Sequence, residues 1–90
     1  MEIEISKHFM RDVNKISDKR IQKKIQEVLV CVRSAVDLSD IKNLGEMSGY
    51  AGFYRIKFDY RYRIGIYLER DTVKFLRAGS REGVYKRFPS

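Results

Sequence analysis

Phe53-Tyr54-Arg55-Ile56-Lys57-Phe58, then Asp59-Tyr60, then Arg61-Tyr62-Arg63-Ile64-Gly65-Ile66-Tyr67-Leu68: this stretch decides the fold. Two runs rich in aromatic and branched residues, broken by a tight pair, alternate at the period of a strand. In the first run one face takes Tyr54, Ile56 and Phe58, and the other takes Phe53, Arg55 and Lys57. In the second, Tyr62, Ile64, Ile66 and Leu68 share one face, and Arg61, Arg63, Gly65 and Tyr67 the other. A third run, Thr72 to Ala78, follows the break Glu69-Arg70-Asp71. Three such runs in succession predict an antiparallel meander. The apolar sets belong against a helical layer. The opposite sets then form a shared concave surface bearing Arg55, Lys57, Arg61 and Arg63. No Asp or Glu is interspersed there, and like charges facing one another across a sheet destabilise it, so that surface is expected to receive a polyanion.

Upstream, Glu2 to Ser6 alternates polar and apolar and predicts a short first strand. Ser6 can cap a helix with Phe9, Met10, Val13 and Ile16 on one side. Ser17 or Asp18 caps a longer helix to about Ser34, whose apolar stripe is Ile21, Ile25, Val28, Leu29 and Val32. Residues 35–52 read as irregular, with a short strand near Ile41 to Leu44. Downstream, Gly79 allows a tight exit from the sheet, and Arg81 to Phe88 predicts one or two helical turns. Arg81 and Tyr85, four apart, then share a side, where an Arg can hold a phosphate and a Tyr can stack on a base. The order β-α-α and then strands is an α+β fold. Two N-terminal helices pack on one face of a small, mostly antiparallel sheet of three to four strands, in a single domain over residues 1–90.

Composition narrows the function. The net charge is +7, but residues 1–53 contribute only +1 of it and residues 54–90 the remaining +6. That skew points to an anionic partner for the C-terminal half. One cysteine, Cys31, leaves no internal disulfide and fits a reducing cytoplasm. The only histidine, His8, reads as a polar residue opening a helix rather than as a partner for Cys31. The first residues carry no signal-peptide pattern, and the longest apolar run, Val28 to Val32, is too short to span a membrane. No metal-ligand set, no glycine-rich nucleotide motif and no paired-carboxylate site occurs, so no metal and no cofactor is expected. An enzyme built from this chain works with Arg, Lys and Tyr. RNA cleavage suits those groups, because RNA carries its own nucleophile, the 2′-OH, beside the scissile phosphate. The protein has only to position it, take its proton and stabilise the extra negative charge. Packing of Arg55, Arg61 and Arg63 around Lys57 would depress the Lys57 pKa and fit it for that proton.

Three ordered pieces carry a resemblance: Phe53-Tyr54-Arg55-Ile56-Lys57, Tyr62-Arg63-Ile64-Gly65-Ile66-Tyr67 and Ala78-Gly79-Ser80-Arg81-Glu82-Gly83-Val84-Tyr85. Together they resemble the RelE/ParE toxin superfamily of type II toxin–antitoxin modules, over nearly the whole chain. The resemblance to its RelE branch implies a metal-independent endoribonuclease that cuts mRNA in the A site of the 30S ribosomal subunit, leaves a cyclic phosphate and so inhibits translation. By position it implies that Lys57 handles the 2′-OH proton and Arg63 stabilises the phosphate. It puts Arg81 near the leaving 5′-oxygen and has Tyr85 stack on the substrate base. Arg55, Arg61, Lys86 and Arg87 are the expected RNA-binding residues, and a cognate antitoxin is the expected protein partner. Two departures stand out. Arg55 occupies the place of a second Lys, and the segment Asn43-Leu44-Gly45-Glu46-Met47 lacks an Arg found in RelE itself. The same fold also serves ParE-like inhibitors of DNA gyrase, so a gyrase inhibitor and an inactive antitoxin-binding module are the alternatives.

Overall fold

A computed structural model describes residues 1–89. Strand β1 (Glu2–Ile5) leads into helix α1 (Lys7–Lys15) and helix α2 (Lys19–Ser34). A 3₁₀ turn (Leu38–Asp40) precedes the meander: β2 (Leu44–Glu46), β3 (Phe53–Ile56), β4 (Tyr62–Glu69) and β5 (Thr72–Ser80). Helix α3 (Arg81–Arg87) follows without a linker. The sheet has five strands in the order β1-β5-β4-β3-β2, one more than the sequence suggests. The meander is antiparallel, as its alternation predicts, and β1 adds to the far edge parallel to β5.

The caps are those the sequence offers. Ser6 Oγ accepts from the Phe9 amide at 3.0 Å and donates to the Leu76 carbonyl at 3.1 Å, so one hydroxyl starts α1 and ties it to β5. Asp18, rather than Ser17, caps α2 by accepting from the Arg20 amide at 2.9 Å. The stripe of α2 faces the sheet: Ile21, Ile25 and Val32 are buried and Val28 and Leu29 half-buried, against Ile56, Ile64, Ile66, Val73 and Phe75. Phe9 of α1 meets Phe75 edge-on at 5.4 Å. Most of the hydrophobic driving force lies in this one layer.

Two local expectations are corrected. Met10 is not part of the inner stripe of α1. It is 53% exposed, and Asp12 points inward instead. The reason is the edge of β5, which outruns the four-residue β1. The Ala78 amide there has no strand partner and donates to Asp12 Oδ2 at 2.9 Å. The same carboxylate takes Arg77 Nε at 3.0 Å and Nη2 at 3.1 Å. A charged side chain thus closes a bare sheet edge, and a fork of two bonds neutralises it. The short strand expected near Ile41 begins later, at Leu44. Asp37 and Asp40 form a capping box that closes the 3₁₀ turn, the Ile41 amide ends it, and Asn43 turns the chain with φ 61°. Asn is one of the few residues that adopts that conformation readily.

Candidate nucleic-acid interface

The surface opposite α1 and α2 is not the bare bed of cations that alternation suggests. α3 and the residue after it cover part of it. Ser80 caps α3 by accepting from the Gly83 amide at 3.1 Å, and the Arg81 amide donates to the Arg61 carbonyl at 2.7 Å. At the other end Phe88, buried, lies flat over Gly65 of β4. A Cβ at Gly65 would stand 2.7 Å from the Phe88 ring. Phe53 joins this cluster, 5.7 Å from Phe88 and 4.6 Å from Tyr67. A glycine inside a strand often marks such a close approach. α3 is therefore pinned at both ends, and its outer side carries Arg81, Tyr85, Lys86 and Arg87, all exposed.

Arg63 also departs from the expected open surface. It is only 4% exposed. Its Nη1 donates to the carbonyls of Asp59 at 2.9 Å, Tyr60 at 3.2 Å and Tyr62 at 2.9 Å. Its Nε is buried and has no protein acceptor among the described residues. The guanidinium thus acts as a strut under residues 59–62, the tight break between β3 and β4. Arg55 is half-buried, its guanidinium lying across Gly45 of β2, where any side chain would collide with it. The four cations thus differ in setting: Arg63 is buried, Arg55 half-buried, and Lys57 and Arg61 exposed. Lys57, one residue past β3, is exposed and its amide donates to the Asn43 carbonyl at 3.1 Å. Its side chain makes no hydrogen bond or ion pair with the described residues.

Residues 59–62 are braced from the α2 side as well. Asp59 accepts from Lys24 Nζ at 2.7 Å and from the Arg61 amide at 3.0 Å. The Lys24 ammonium, first, and the Arg61 amide, second, hold the Asp59 carboxyl below the usual carboxylate range.

A cleft opens between this loop and the start of α3, lined by Tyr60, Arg61, Tyr62, Ser80, Arg81 and Glu82. A second hollow, lined by Arg81, Glu82, Tyr85 and Lys86, adjoins it. The structure thus brings Arg61 and Arg81 into one cleft and Arg81, Tyr85 and Lys86 into the next, with Arg63 beneath the loop. Lys57 and Arg55 line neither, and Arg87 lies with Lys86 beside Phe88 on another crease. The side chains of Arg61 and Arg81 make no ion pair or hydrogen bond with the described residues, Glu82 included. Two uncompensated guanidinium groups among tyrosines can clamp phosphate oxygens and offer flat surfaces to bases. Tyr60 and Tyr62, which sequence reasoning left out of the site, line the cleft beside them. Cys31 and His8 stand apart from it, the thiol 4.0 Å from the Asp40 carbonyl and His8 exposed on α1. No helix among the described residues is long and apolar enough to cross a membrane.

No family model matches the chain. It is 31% identical over 90 residues to toxin RelE3 of Methanocaldococcus jannaschii, covering 99% of this chain and all of that one. A chain of the solved RelB–RelE antitoxin–toxin complex from Methanococcus jannaschii superposes with a TM-score of 0.75 at 31% identity, over 94% of this chain and 98% of that one. The DinJ–YafQ toxin–antitoxin complex of Escherichia coli gives 0.73 at 18% identity, over 93% and 96%. The YoeB dimer of Staphylococcus aureus gives 0.70 at 21%, over 86% and 92%. The last two speak to the fold alone. With a relative 31% identical over its whole length and a solved structure at the same identity superposing over nearly the whole chain, the chain belongs to the RelE family of toxins.

Proposed function

We propose that this toxin is a ribosome-dependent endoribonuclease that cuts mRNA in the A site and so stops translation. The observation that carries the reading is the cleft itself. Arg61 and Arg81, without an ion-pair or hydrogen-bond partner among the described residues, share it with the exposed Tyr60 and the half-buried Tyr62. In this reading the 2′-OH of the RNA attacks the adjacent phosphorus, the bond to the 5′-oxygen breaks, and a cyclic phosphate remains. Lys57 takes the 2′-OH proton. Arg63 stabilises the charge on the phosphate, Arg81 the charge on the leaving 5′-oxygen, and Tyr85 stacks on the base. Arg55, Arg61, Lys86 and Arg87 hold the flanking backbone, and no metal ion is required. Lys57 lies outside the cleft that holds the arginines, so the ribosome-bound message has to bridge β3 and α3. Low activity on naked RNA would follow. The complexes solved for RelE and YafQ pair each toxin with an antitoxin. A cognate antitoxin laid over the cationic surface would silence this one in the cytoplasm until it is released.

The test is to induce the protein in a bacterium and map the 5′ ends of one abundant mRNA over a few minutes. Codon-phased ends are expected, absent when initiation is blocked. Arg81→Ala should lower their appearance by about two to three orders of magnitude, the usual cost of removing one transition-state donor. Intact mRNA with arrested growth would overturn the reading in favour of gyrase inhibition. Intact mRNA with normal growth would leave an inactive antitoxin-binding module.

A further inference from the structure

Tyr60 is 91% exposed, the most exposed of the large hydrophobic residues described. Its ring makes no aromatic contact and its hydroxyl no hydrogen bond among the described residues. Yet its backbone belongs to a heavily braced loop. The Tyr60 carbonyl and its neighbours accept from Arg63 Nη1, the preceding Asp59 is tied to Lys24 on α2, and the following Arg61 carbonyl accepts from Arg81. A rigid backbone therefore displays a ring that contributes nothing visible to the fold. It does so on the rim of the cleft shared with Arg61 and Arg81. Across Arg81, the adjoining hollow presents Tyr85.

We propose that Tyr60 is a second stacking platform for an unpaired base of the RNA substrate, on the opposite side of Arg81 from Tyr85. The proposal rests on the nuclease reading above and names a binding residue that this reading lacks. Base stacking on an aromatic ring tolerates any sequence and gains most when the ring is already held in place. The flanking arginines, without partners among the described residues, supply the phosphate contacts that a nucleotide needs on either side of its base. An apolar protein segment would leave both guanidinium groups desolvated without partners, and an acidic one would gain little from a lone ring. A nucleotide satisfies both.

The experiment compares wild type with Tyr60→Phe, Tyr60→Leu and Tyr60→Ala in cleavage of a defined message on purified translating ribosomes, with the thermal midpoint of each protein measured alongside. Because the ring is almost wholly exposed, all four should unfold at the same temperature. Tyr60→Phe should cleave like wild type, while Tyr60→Leu and Tyr60→Ala should be slower by about ten- to a hundredfold. Wild-type cleavage matched by Tyr60→Ala would overturn the proposal and leave the nuclease reading standing. A Tyr60→Phe variant as slow as Tyr60→Ala would also overturn it, by assigning the effect to the hydroxyl. Normal cleavage by Tyr60→Ala with loss of silencing by the cognate antitoxin would give the ring to the protein partner instead. Absence of cleavage by the wild type itself would remove the nuclease reading, and this proposal with it.

Discussion

The two faces of the sheet are built on different principles. The face under α1 and α2 is a continuous apolar layer in which Ile25, Val32, Ile64, Ile66, Val73 and Phe75 are almost wholly buried. The face under α3 holds one small aromatic cluster around Gly65, a buried guanidinium, and rims of exposed Arg and Tyr. The first is organised by burial, which has no direction and scales with area. The second is organised by a few directional contacts, each local and each replaceable. Stability should therefore reside on one face and activity on the other, and substitutions can break or sharpen that division.

The largest expected effect is on the apolar face. Phe75→Ala removes a fully buried ring from contact with Phe9 and leaves a cavity among branched side chains. The cost should be about 3–5 kcal/mol, read as a lower midpoint in urea unfolding. A domain of this size can lose most of its stability that way. A loss under about 1 kcal/mol would show that the helix face is not the main core. Gly65→Ala comes next. The new methyl group displaces the Phe88 ring, so the cost is the burial of one aromatic side chain, about 1–3 kcal/mol. Phe88→Ala should cost a similar amount alone and much less in the Gly65→Ala background, since both act on the same contact. Additive losses would mean that the ring and the glycine are energetically independent. On ribosomes Gly65→Ala should also slow cleavage, because α3 carries Arg81 and Tyr85.

The same division explains what could be read in the chain. The apolar face was legible because its residues repeat at the periods of helix and strand: Ile21, Ile25 and Val32 on α2, Ile64 and Ile66 on β4. The capping of α1 by Ser6 was legible for the same local reason, and that of α2 was narrowed to Ser17 or Asp18, of which the structure uses Asp18. What escaped depends on partners distant in sequence. Nothing near Glu2 reveals that β1 joins β5 some 70 positions later. Nothing near Asp12 reveals the bare Ala78 amide it closes. Arg63 alternates onto the cationic face as expected, but the carbonyls that bury it come from the turn that precedes it, whose shape the alternation does not encode. One signal was available: Gly65 interrupts an otherwise branched strand, and such a gap calls for something packed against it. Arg61, Arg81 and Tyr85, singled out by residue type and spacing, line the cleft or the hollow beside it, and Lys86, named without such an argument, lines that hollow. Tyr60 and Tyr62 were read as a break and as a core-facing residue, and only the cleft shows that both line it.

The smallest effect tests whether the site loop is stabilised independently of the core. The Asp59 carboxyl is held below its ordinary value, first by Lys24 and then by the Arg61 amide. An unfolded Asp titrates near about 3.9, so the folded state releases this proton more readily than the unfolded state does. The contribution is then fully present above about pH 4 and is lost as pH falls through the lower folded value. Both partners are partly solvated, so it should amount to less than about 1 kcal/mol and shrink in salt. Asp59→Asn should accordingly be slightly less stable than wild type at neutral pH, with the difference shrinking as the pH falls through the lowered folded value. Hydrogen exchange locates the effect: the amide of Arg61, which donates to this carboxylate, should lose protection in acid before those of Ile64 and Ile66 do. Equal protection of all three down to the global unfolding pH would mean that loop and core open as one unit. The two faces would then differ in chemistry but not in stability, and the brace under Tyr60 would owe nothing to Asp59.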